Sequence, residues 1–146
     1  MRYSRFAEPI AHAIGSAKPL YHSQDVTFPK EDIQCLSLED NCYEMIICNH
    51  VLEHVPNDYQ ALQECHRVLR NGGVAVFTIP GDFSSIDTKT TTFEKPDGNG
   101  HYRHYGMDVV DMMRATFKSV ATLDMSITAN PQWMVRLGDY AFVCTK

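Results

Sequence analysis

The residues of this chain best suited to chemistry are histidines set beside carboxylates. His50 and His54 flank Glu53 in HVLEH, and His101, Arg103 and His104 follow in HYRHYG. An imidazole titrates near neutral pH, so it can take up or deliver a proton, and it is also a common ligand for transition metals. His50 and His54 have the i, i+4 spacing of a helical ligand pair, but no third ligand follows at a recognised spacing, so no metal site is expected. His101, Arg103, His104 and Tyr105 suit the wall of an acceptor pocket, with Arg103 fitted to an anionic group. They suit equally a rim of hydrogen bonds that anchors a long loop. Asp25 and Asp32 read either as ligand-binding carboxylates or as solvated turn caps. Cys65 falls on an apolar helical stripe, which argues against a nucleophilic role, and no residue is singled out as catalytic.

These side chains need elements to hold them. Tyr43 to Asn49 is a continuously apolar run through Met45, Ile46, Ile47 and Cys48, the pattern of a central parallel strand covered on both faces. Asn57 is an N-cap, and Ala61, Leu62, Cys65, Val68 and Leu69 trace the buried stripe of the helix behind it. Gly72 and Gly73 are expected to stop that helix. Val74 to Ile79 is the next strand, closed by Pro80, so strand, helix and strand form a parallel crossover. Residues 81 to 100, rich in Gly, Ser, Thr and Asp, read as a long surface loop. Val109, Val110, Met112, Met113 and Phe117 outline a second helix. Ser119 to Ile127 and Tyr140 to Thr145 supply a final antiparallel strand pair. Ahead of all this, Phe6 to Ile14 spaces Phe6, Ile10, Ala13 and Ile14 as one short helix, and Leu20 to Gln24 is a short strand ending at Asp25.

Composition narrows the role. The 146 residues, 44% hydrophobic, suffice for one domain over 1–146, with 1–19 an atypical helical start and 20–146 the core. The formal net charge of -5 is scattered, without the basic stripe that nucleic acid needs. Five cysteines make no CxxC pair, which fits reduced thiols and a cytoplasmic setting. No stretch is apolar for long enough to predict a membrane span or an export signal.

Several segments, in this order, resemble the type 11 branch of the class I S-adenosylmethionine-dependent methyltransferases. They are DIQCLSLEDN (32–41), YEMIICNHVLEHVPND (43–58), ALQECHRVLRNGG (61–73), VAVFTIP (74–80) and HYRHYG (101–106). The resemblance implies a Rossmann-like α/β fold, with a mostly parallel sheet that carries the cofactor across its carboxyl ends. It implies that Asp25 receives ribose hydroxyls, that Asp32 and Ile33 meet the adenine, and that Asn49 and His50 face the methionine and sulfonium end. His54, His101 and Arg103 are then the acceptor-binding candidates. Methyl transfer from a sulfonium asks chiefly for alignment and desolvation; a base is needed only if the nucleophile must lose a proton, and His50, His54, His101 or His104 could serve.

The chain departs from the family in lacking the first strand with its Gly-x-Gly-x-Gly turn, a truncation at the amino-terminal side. That turn lets backbone approach the cofactor, so weak or lost S-adenosylmethionine binding is expected. Loss of a middle strand also exposes sheet edges, for which a homodimer is the commonest remedy. Two functions follow: methyl transfer to a small-molecule acceptor, or a non-catalytic methyltransferase-fold domain serving dimerisation or regulation of a partner.

Overall fold

The computed structural model describes residues 31–90, 95–125 and 139–146. Their elements are β1 (Tyr43–Asn49), α1 (Asp58–Val68), β2 (Leu69–Pro80), β3 (Lys89–Thr90), β4 (Arg103–His104), α2 (Val109–Thr116), β5 (Ser119–Asp124) and β6 (Asp139–Thr145). The expected helix at 6–14, the strand at 20–24 and Asp25 lie outside the described residues.

β1 and β2 are parallel neighbours joined through α1, with Met45 opposite Val74 and Asn49 opposite Thr78. β6 lies antiparallel between β2 and β5, giving the order β1-β2-β6-β5. The architecture is therefore α/β, parallel at its start and antiparallel at its carboxyl-terminal pair, as read from the sequence.

The local rules explain α1. The Asn57 side chain accepts the Gln60 N–H at 3.1 Å, which satisfies one of the amides a helix start leaves open. Ala61, Leu62, Cys65 and Val68 are all fully buried, and they press on Ile46, Cys48, Ala75 and Phe77 of the sheet. Complete burial of side chains of this size contributes ~1.5–3 kcal/mol each for the larger ones.

Four expectations change. β1 is not central among the described residues: it pairs only with β2, and the middle of the sheet is β2 and β6. Nor are both of its faces covered, because Ile46 and Cys48 are buried under α1 while Met45 and Ile47 stand 47% and 55% exposed on the opposite face. Gly72 and Gly73 do not end α1. The helix closes at Val68, the Leu69 N–H still bonds Cys65, and Leu69 turns directly into β2, where it pairs with Tyr43. Tyr43 faces Leu69 but Met45 faces Val74, so β2 spends extra residues between those points, and Gly72 at φ +77° takes the left-handed step in that bulge. The long loop is also less irregular than expected, since Lys89 and Thr90 pair antiparallel with His104 and Arg103.

A polar staple holds residues 36–40 on α1. Arg67 donates to the Leu36 and Leu38 carbonyls at 2.9 and 2.8 Å and to Asp40 and Glu64 at 2.6 and 2.8 Å. Glu64 also accepts the Leu36 N–H at 2.8 Å. The Arg67 guanidinium, aided by that amide, holds the Glu64 carboxyl below its ordinary range against partial burial. A carboxyl with a lowered folded value stabilises the fold above its unfolded value, about 4.3, and loses that contribution as pH falls through the folded value. Glu64→Gln is therefore expected to lower stability at neutral pH by about 1 kcal/mol and to flatten its decline below about pH 5. Urea midpoints measured across that range will show it, and parallel curves for the two proteins would refute it.

Candidate functional site

The parallel pairing brings the carboxyl ends of β1 and β2 to one side of the sheet, where His50, Glu53 and His54 follow β1. At the end of β1, Asn49 Oδ1 accepts the Thr78 hydroxyl at 2.9 Å, and the His50 N–H donates to the Thr78 carbonyl at 2.9 Å. His50 takes φ +51°, a left-handed step that turns the chain off the strand at once. That step, followed by the single 3-10 turn Leu52–His54, breaks the α-helical i, i+4 geometry assumed for His50 and His54. The turn instead carries Glu53 inward to 1% exposure, with Oε1 at 3.6 Å from His50 Nδ1 and 3.8 Å from His54 Nε2.

The opposite wall comes from residues 97–105. Asp97 Oδ1 accepts the Asn99 and His101 N–H groups at 2.8 and 2.9 Å, and Oδ2 meets His104 Nε2 at 3.0 Å. The His101 amide, then that of Asn99, keep the Asp97 carboxyl below its ordinary range, so it is an anion at neutral pH. Gly100, at φ +84°, presents its carbonyl to His54 Nδ1 at 2.9 Å; a Cβ here would come within 3.3 Å of that same nitrogen. The His54 and His101 rings meet edge to face at 4.7 Å, and His101 and His104 at 5.6 Å. Burial, then the neighbouring His54, hold the His101 imidazole below its usual value, so it is neutral at pH 7. Between this wall and the end of β2 opens a cleft of about 510 Å³, lined among others by Asp82, Lys89, His101 and His104.

Arg103 stands elsewhere than a contact for an anionic group would. It is 4% exposed and spends its guanidinium on the 52–58 turn. It donates to the Leu52, Val55 and Pro56 carbonyls at 2.9, 2.7 and 2.7 Å, with Nε 3.3 Å from Asp58. Tyr105 OH donates to the same Asp58 at 2.7 Å. Burial, then the Asp58 charge, push that phenol well above its usual value, so it stays a donor. A planar fork with five donors is what three converging carbonyls need, which is why arginine does this and lysine would not.

In the 31–35 turn, the exposed Asp32 carboxylate accepts the Gln34 N–H at 2.9 Å, and Ile33 is 7% exposed within the core. Gln34 Oε1 accepts the Asn57 N–H at 2.9 Å, so this turn lies against the His50–Asn57 turn at the same end of β1. The structure thus groups Asp32, Ile33, Asn49, His50, His54 and His101 at one end of the sheet and withdraws Arg103 into its support. The sequence reading undervalued Glu53 and Asp97. Glu53 is flanked by two histidines in the chain, but its burial and the approach of His101 are tertiary.

With this geometry in view, residues 7–77 match the family model of a methyltransferase domain. Three solved structures share the fold. An S-adenosylmethionine-dependent methyltransferase of Thermotoga maritima is 17% identical, TM-score 0.58, covering 84% of this chain and 65% of its own. One from Mesorhizobium loti is 13% identical, TM-score 0.56, covering 86% and 72%. A Haemonchus contortus phosphoethanolamine N-methyltransferase, in complex with phosphomonomethylethanolamine and S-adenosylhomocysteine, is 12% identical, TM-score 0.56, covering 78% and 36%. The chain therefore spans just under two thirds of the Thermotoga protein and about a third of the Haemonchus one. No curated protein matches the sequence. No helix among the described residues is long and apolar enough to cross a membrane.

Proposed function

We propose, from the match of residues 7–77 to the methyltransferase domain model and a described fold shared with S-adenosylmethionine-dependent methyltransferases, that the chain binds S-adenosylmethionine across the carboxyl end of β1 and methylates a small-molecule acceptor. The observation that supports this reading is the placement of Asn49, His50 and the Asp32 turn at the carboxyl end of a parallel strand pair, with a cleft lined by His101 and His104 opening at the end of the neighbouring β2.

The described residues fit the cofactor. Asp32 is an exposed carboxylate able to accept the adenine amine, Ile33 is packed in the core beneath that turn, and Asn49 and His50, at the end of β1, are the groups proposed for the methionine end. Asp25, the proposed ribose acceptor, lies outside the described residues. When bound, S-adenosylmethionine supplies an activated methyl carbon. The chain's task is then to align the acceptor and exclude water, with the cleft between His101, His104 and Asp82 as the acceptor's place. His101, neutral at pH 7, can take a proton from an acceptor that must lose one. Arg103 acts by positioning the 52–58 turn.

Calorimetric titration with S-adenosylhomocysteine tests this. Saturable binding is expected, weakened about tenfold by Asp32→Ala or Asn49→Ala, each of which removes one polar contact. No heat at millimolar ligand would end the cofactor reading.

One observation favours the second reading, a non-catalytic domain kept for association. Met45 and Ile47 are exposed on the sheet face away from α1, and by register Ile47, Val76 and Val143 form one row across three strands. Apolar side chains aligned in this way suit a homodimer or a partner chain.

A further inference from the structure

The geometry points to a divalent transition-metal site formed by Glu53, His54 and His101, beside the cleft that His101 lines. Its existence does not rest on methyl transfer. The sequence offered two ligands without a third at a recognised spacing; the fold supplies it from a segment 47 residues further on, placing one donor atom of each residue within 4.8 Å of the others.

Tautomer chemistry makes His54 a prepared ligand. The Gly100 carbonyl, 2.9 Å from Nδ1, can only accept, so Nδ1 carries the proton and Nε2 of the neutral ring bears a lone pair. That lone pair faces Glu53 Oε1 at 3.8 Å, too far for a hydrogen bond and close enough for a shared cation. Fixing a ligating imidazole through a backbone carbonyl at its other nitrogen is the usual way a protein orients such a ring. Glu53 is 1% exposed, and a carboxylate withdrawn so far from water gains most from a charge of opposite sign. Metal bonds of about 2.0–2.2 Å in tetrahedral geometry set ligand atoms about 3.3 Å apart, so the three donors need to close by at most roughly 1.5 Å.

Asp97, His101 and His104 are a second cluster within the same limit, sharing His101. It is the weaker choice. Asp97 Oδ2 and His104 Nε2 already bond each other at 3.0 Å, and Oδ1 holds two backbone amides. Asp97 instead anchors the turn that presents His101. Two imidazoles and one carboxylate suit zinc and its neighbours, and His50 Nδ1, 3.6 Å from Glu53, is a nearby further donor.

The test is titration of chelator-treated protein with Co²⁺, followed by visible absorption, and with Zn²⁺ by calorimetry. One ion per chain is expected, with ligand-field bands of nitrogen and oxygen donors. Affinity should fall at least tenfold in His54→Ala, His101→Ala and Glu53→Gln, and less than about threefold in His66→Ala, whose ring lies apart on α1. Circular dichroism checks that each variant folds. A second measurement needs no variant: Zn²⁺ should protect His54 and His101 of the unaltered protein from acylation while leaving His66 reactive. Absence of Co²⁺ uptake at millimolar concentration, uptake unchanged in the His54 and His101 variants, or equal labelling with and without Zn²⁺ would each overturn the site.

Discussion

Arg103→Met is expected to cost about 3–5 kcal/mol of folding stability, one of the largest losses available to a single substitution in this chain. The methionine fills much of the same volume but donates nothing, so the Leu52, Val55 and Pro56 carbonyls and the Asp58 carboxylate lose their shared partner in a buried place. Arg103→Lys should recover only part of the loss, because one ammonium cannot reproduce a planar fork aimed at three carbonyls. Urea unfolding monitored by circular dichroism measures both. A cost below about 1 kcal/mol for Arg103→Met would mean that the 52–58 turn holds itself. Because this turn carries Glu53 and His54, the same variant links the folding core to the cleft.

Ile46→Ala and Ile47→Ala form the second pair, equal in chemistry and adjacent in the chain, with unequal outcomes. Ile46 is 2% exposed beneath α1, and removing its side chain should cost about 2–5 kcal/mol through lost burial and an unfilled cavity. Ile47 is 55% exposed on the other face, and its truncation should stay within about 1 kcal/mol. Denaturation midpoints decide this. Ile47→Lys adds a reading of association: if the apolar face seats a second copy, light scattering should give a dimer for the parent and a monomer for this variant. A monomeric parent would remove the homodimer.

What the sequence determined by itself follows from short-range physics. Asn57 as a cap, the stripe from Ala61 to Val68, and the apolar runs of β1 and β2 each depend on a few neighbouring residues, and they appear where their spacing puts them. The motifs from Asp32 to Pro80 carried the methyltransferase resemblance for the same reason, since they are linear. Which face of β1 would be covered was not legible, because Met45, Ile46, Ile47 and Cys48 are alike in hydrophobicity and only packing against α1 tells them apart. The end of α1 was misplaced because strand pairing from Leu69 outweighed the glycines' preference for a helix stop. In the cleft, the chain announced histidines and arginine without saying which would be spent on structure. Arg103 was taken into the core by three carbonyls from a turn about fifty residues earlier. His54, Glu53 and His101 became neighbours only when the 97–105 segment closed over that turn, since proximity across such a separation is set by the closed fold and by no local spacing.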